Sequence, residues 1–227
     1  MQSCQTDQYA VIRQITHPKD KDAIRAIREN ASSKVANFIG CDGANSIVIP
    51  VAVHYDASFD CTNTQCLIDA ALGNIAAMNE DFAATNADIS YYNELNAACP
   101  AGYPLDIVSD GTCITFCLAT QNHPAGEGMV DGEAAITVGQ YTWSGGPDAP
   151  NFTGYFNIFV EANTGGLGIA AAPSQGNGGG VQVDASAFGA PGINCSSGSA
   201  LNSDGTYNLG RTLTHETGHY FDLFHTF

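Results

Sequence analysis

The sequence predicts a mixed α+β domain, with a sheet backed by one long helix and a second, shorter helix at the C-terminal end. Three stretches carry this. Ser46-Ile-Val-Ile-Pro-Val-Ala-Val-His-Tyr55 is a nearly continuous apolar run, the pattern of a buried central strand, with Pro50 near its start. Residues 65–82 place Leu67, Ile68, Ala71, Leu72, Ile75, Ala76, Met78 and Phe82 at helical spacing, so Met78 belongs to a core face. Residues 211–227 contain His215-Glu216-x-x-His219, with His225 six positions further on.

Composition narrows the class. A chain of 227 residues suits one domain with a short leader, and 44% hydrophobic residues allow a real core. Seven Lys plus Arg against 23 Asp plus Glu give a formal charge of −16, which argues against nucleic acid or an anionic membrane as partner. The acidic surface makes calcium a second candidate ion, although no Asp-x-Asp-x-Asp-Gly loop occurs. Eight cysteines without a Cys-x-x-Cys pair disfavour zinc-finger and thioredoxin readings and favour a secreted, disulfide-bearing chain. Asn30-Ala-Ser, Asn151-Phe-Thr and Asn194-Cys-Ser match the glycosylation sequon. There is no apolar run of transmembrane length. The first residues lack the pattern of a signal peptide, so the signal is expected upstream, or Met1 is an artificial start. No Gly-x-Ser-x-Gly elbow occurs, and Gly176–Gly180 lacks the Lys-Ser/Thr ending of a phosphate cradle.

In chain order, residues 1–44 read as a leader, with an amphipathic helix between Asp20 and Phe38 and Cys4 ahead of it. After the 46–55 strand, Cys61 and Cys66 are placed to close a small loop before the long helix. Leu105–Val108 and Thr112–Ala119 form a second strand region. There Cys113 and Cys117, four apart, face one side and are expected to bond to other segments. Ala134–Trp143 is a further strand or an ordered excursion, Gly154–Glu161 a third strand, and Gly180–Asp184 a short one. His54 is expected to be a structural strand histidine, and His123 a structural or solvent-exposed loop residue.

The C-terminal motif carries the chemistry. On a helix His215 and His219 lie one turn apart on one face and can bind one zinc together. Glu216 is rotated by about 100°, within reach of a water held by the metal without being a ligand. His225 would lie about 15 Å along the axis if the helix ran on. The helix must therefore stop near residue 222 and the chain turn back, through a residue that tolerates positive φ, here Asp222.

His-Glu-x-x-His-x-x-Gly-x-x-His is the metzincin zinc-protease pattern. Gly210-Arg211-Thr212-Leu213-Thr214 before it, Gly218 within it and Thr226-Phe227 after it resemble the pappalysin (cytophagalysin) branch, with Asp222 in place of that family's Gly. The resemblance covers residues 45–227. It implies the N-terminal part of a metzincin catalytic domain, with a twisted, mostly parallel sheet, a backing helix and a C-terminal active-site helix. It also implies that residues 165–173 form the strand along the upper rim of the substrate cleft. For Cys4 the same resemblance implies the role of a leader cysteine that occupies the fourth zinc position and holds a zymogen latent; the alternative is an ordinary disulfide partner. A second subdomain with a Met-turn is expected after the third His. Met1, Met78 and Met129 all precede the motif, so that subdomain is expected to be missing.

Together these features predict a secreted zinc endopeptidase acting on protein or peptide substrates. His215, His219 and His225 are the expected zinc ligands and Glu216 the expected catalytic base. The competing readings are a non-catalytic metal-binding or adhesive module on the same fold, and an enzyme of another metzincin branch.

Overall fold

β1 (Ile47–Tyr55) is the centre of the sheet, as a continuous apolar run requires. The computed structural model describes residues 47–59, 64–91, 94, 112–127, 129–143, 154–170, 180–190, 201, 206–223 and 225. The 1–44 leader with Cys4, the 105–108 strand, Cys61 and the 176–179 glycines lie outside the described residues.

β2 (Ile114–Leu118) and β4 (Phe156–Glu161) flank β1 in parallel, and β3 (Ile136–Val138) pairs in parallel with Val53–Tyr55. The 134–143 stretch is thus a three-residue strand followed by an excursion. β5 (Gly168–Ala170) and β6 (Gly180–Asp184) complete the order β2-β1-β4-β6-β5. β5 is antiparallel to β6 and ends the sheet; every other pairing among the described strands is parallel. Pro50 is tolerated in the central strand by its phase. The backbone of Ile47 and Val51 bonds towards β2, so that of Pro50 faces the β4 side, where pairing starts only at Val51.

The strand alternation sorts side chains onto two faces. Val51, Val53 and Tyr55 face α1 (Thr64–Phe82), which buries Leu67, Ala71, Ile75 and Met78 against them. Burying side chains of this size stabilises the fold by about 1.5–3 kcal/mol each. Leu72 and Ala76, expected on that face, are exposed, Leu72 at 47%. The buried stripe runs through 67, 71, 74, 75 and 78, and these two residues lie one helical step off it. On the opposite face Ala52 and Phe159 are covered by Ala119, Ala135, Tyr155 and Trp143.

Cys66 and Cys117 each take part in a disulfide, whereas Cys113, expected to be bonded as well, is a free thiol. It lies in the exposed bend leading into β2, outside the paired strand. No helix among the described residues is long and apolar enough to cross a membrane.

α2 (Arg211–Tyr220) packs on β5, β6 and α1, with Leu213 fully buried in the core. Its entry is set by Gly210 at φ +74, where a Cβ would stand 2.6 Å from the Ala77 methyl. A side chain there would push α2 off α1.

Candidate metal centre

α2 is tied to α1 before it offers any chemistry. Arg211 reaches Asp81 at 3.0 Å and Asp88 at 2.7 Å, and the Thr214 hydroxyl donates to the other Asp81 oxygen at 2.7 Å. Burial pushes the Asp81 carboxyl above its ordinary value, opposed by the Thr214 hydrogen bond and the Arg211 charge. Thr217 donates to the Leu213 carbonyl at 2.8 Å and rests 3.2 Å from the Met78 sulfur. These contacts fix the rotation of the helix, and with it the direction of His215 and His219.

The helix ends at Tyr220, and Phe221 caps it. Asp222 follows at φ +63, the left-handed conformation that the spacing argument required. The Leu223 amide then bonds back to the Gly218 carbonyl at 3.0 Å. This pattern satisfies the last carbonyls of the helix and reverses the chain. Tyr220 and Phe221 anchor the turn by packing on Phe156 and Phe82.

The reversal brings the three histidines together. His215 Nε2 and His219 Nε2 are 3.1 Å apart, His219 and His225 3.1 Å, and His225 and His215 3.0 Å. A neutral imidazole nitrogen either donates or accepts. In a triangle of three, at least two must therefore play the same role and repel. A cation at the centre removes the conflict. Nitrogens bound tetrahedrally to zinc at about 2.0–2.1 Å stand about 3.3 Å apart, close to the observed spacing. His219 Nδ1 donates to the Leu223 carbonyl at 2.7 Å, which leaves its Nε2 with a lone pair turned to that centre. Among the described residues these three form the group whose ligand atoms can meet on one ion, and the acidic residues considered for calcium form no such cluster.

Glu216 is 1% exposed and lies against β5. Gly168 makes room for it: a Cβ at 168 would stand 2.6 Å from Glu216 Cγ and 2.9 Å from its Oε1. The sequence reading missed Gly168, the Leu223 carbonyl and the Asp81–Arg211–Thr214 tie. A glycine inside an apolar strand was the available signal for the first.

His54 lies elsewhere, buried on the other face of the sheet. Its Nε2 donates to Asn157 Oδ1 at 3.0 Å and its Nδ1 accepts from the Thr137 hydroxyl at 2.8 Å. Burial pushes its pKa down to about 4, against the Asn157 hydrogen bond. His123 bonds through Nε2 to the Glu133 carbonyl at 2.8 Å. Neither approaches the triad as a fourth partner.

The chain is similar to proteins named extracellular metalloproteases. It is 25% identical over 93% of its length to an extracellular metalloprotease of Colletotrichum graminicola, and spans 64% of that protein. A 21-residue stretch is 86% identical to part of an extracellular metalloprotease of Verticillium alfalfae; it covers 9% of this chain and 8% of that one. The relatives are metalloproteases. Among solved structures, mirolysin in complex with a compound matches 81% of this chain and 65% of its own at 25% identity, with TM-score 0.51. Tannerella forsythia mature mirolysin in complex with a cleaved peptide matches 81% and 66% at 25% identity, TM-score 0.50. A Tannerella forsythia promirolysin mutant shares the fold over 98% of this chain and 69% of its own, at 23% identity and TM-score 0.59. No family model matches the chain.

Proposed function

We propose that this protein is a secreted zinc endopeptidase of pappalysin type. The observation that carries the reading is the convergence of His215, His219 and His225 on one point, with Nε2 atoms 3.0–3.1 Å apart, beside a buried Glu216. The three imidazoles would hold the ion, and the Leu223 carbonyl keeps His219 in the ligating tautomer. Zinc, when bound there, supplies Lewis acidity towards a water and the scissile carbonyl. Glu216 takes a proton from the attacking water on a carboxylate oxygen and returns it to the leaving amine. Peptide substrates are supported by the mirolysin complex with a cleaved peptide, and secretion by the extracellular relatives.

The domain assignment belongs to the same proposal. Residues 45–227 are read as the N-terminal part of the catalytic domain and residues 1–44 as a pro-segment, with Cys4 as the candidate latency ligand.

The test is Glu216→Ala. The variant should keep one zinc per chain by metal analysis and lose about 10²–10⁴-fold in kcat on a peptide substrate. A zinc-loaded variant with parental activity would sink the mechanism.

A further inference from the structure

We infer that Gly168 is a positioning residue for Glu216, and that the missing side chain at this one site in β5 sets where the carboxylate stands. The inference rests on the peptidase reading above. Three distances carry it. A Cβ on residue 168 would meet Glu216 Cγ at 2.6 Å, Glu216 Oε1 at 2.9 Å and the Gln182 carbonyl oxygen at 2.9 Å. The φ of Gly168 is not positive, so backbone conformation does not demand glycine here. Space does.

Neither the Gln182 carbonyl nor Glu216 Cγ can withdraw cheaply. The Gln182 carbonyl belongs to β6, which is paired with β5 through Ile169 and with β4 through Phe159. Glu216 Cγ is held from behind by α2, which Leu213 and Thr217 seat in the core. Of the clashing atoms, the Glu216 side chain has the rotatable bonds, so a methyl at 168 moves the carboxylate first. It would leave the histidines unaffected, since their directions are fixed by α2 and by the 222–223 turn. Displacing a base by about 1 Å is enough to cost about 100-fold in rate.

The experiment is a two-residue cycle in the full-length protein. Gly168→Ala should bind one zinc per chain as the parent does, with kcat lower by about 100-fold and KM within about threefold. Its Tm should also fall. In the Glu216→Ala background the vacated volume accepts the new methyl, so most of that fall should disappear. This second arm needs no activity, and it keeps the test alive if the single variant folds poorly. Parental kcat in zinc-loaded Gly168→Ala, or an equal Tm drop in both backgrounds, would overturn the inference. Strong Tm coupling in a parent without peptidase activity would overturn the catalytic role and reduce the contact to packing, which separates failure of this inference from failure of the peptidase reading.

Discussion

Two buried histidines, on opposite faces of the same sheet, show how differently one side chain can be used. His54 meets a hydroxyl at 2.8 Å and an amide oxygen at 3.0 Å, one able to donate and one to accept. A neutral ring is complete in that setting. His219 also has one nitrogen satisfied, by the Leu223 carbonyl at 2.7 Å, but its other nitrogen faces two like atoms at 3.1 Å. Burial is common to both, so burial does not separate a structural histidine from a ligand. What separates them is the chemical kind of the atom opposite the second nitrogen: complementary for His54, identical for His219.

The comparison breaks most sharply by removing one member of the triad. His219→Ala should weaken zinc binding by more than about 100-fold, since loss of a mere supporting contact to a ligand already costs about 10–100-fold. His54→Gln should leave zinc affinity within about threefold of the parent. Competition with a chromophoric chelator reads both, and equal losses would erase the distinction drawn between the two sites.

Acid should discriminate them in the other direction. His54 titrates at about 4 in the fold against 6.5 for an ordinary histidine. The unfolded chain therefore takes up the proton first. The stabilisation this group contributes is intact above pH 6.5 and is lost as the pH falls towards 4, by about 3 kcal/mol in all. Urea unfolding of metal-free protein across that range should show the loss, and His54→Gln should flatten it. A variant with the parental pH slope would show that His54 does not carry the acid sensitivity. Metal-free protein is specified because bound zinc would add its own pH linkage.

The smallest effect concerns the turn that completes the triad. Asp222 sits at φ +63, where a residue without a short polar side chain is strained by about 1 kcal/mol. Asp222→Ala should lower stability by about that amount and weaken zinc binding severalfold through His225, with His215 and His219 still in place on α2. An unchanged urea midpoint would mean that left-handed tolerance is not what this position requires of its residue.

Much of this architecture was legible in the chain itself. The apolar run of β1, the 3.6-residue periodicity of α1 and the His215–His219 spacing are local patterns, and each produced the expected element. So was the end of α2: three histidines on one ion cannot be reconciled with a continuous helix, so the break near Asp222 followed from distance alone. Leu72 and Cys113 were misjudged for one reason. A period identifies a face or a side, but whether a neighbour covers that position depends on segments far along the chain.

The identity and spacing of the candidate ligands, the place where the helix must stop and the type of each main element were therefore decided by sequence, because they depend on contacts a few residues apart. The partners of His54 lie 83 and 103 positions away. The room for Glu216 comes from a glycine on another strand, and the tautomer of His219 from a backbone carbonyl that only the reversed turn presents. These were decided by tertiary structure, since hydrogen-bond complementarity and free volume are properties of neighbours in space that no linear period encodes.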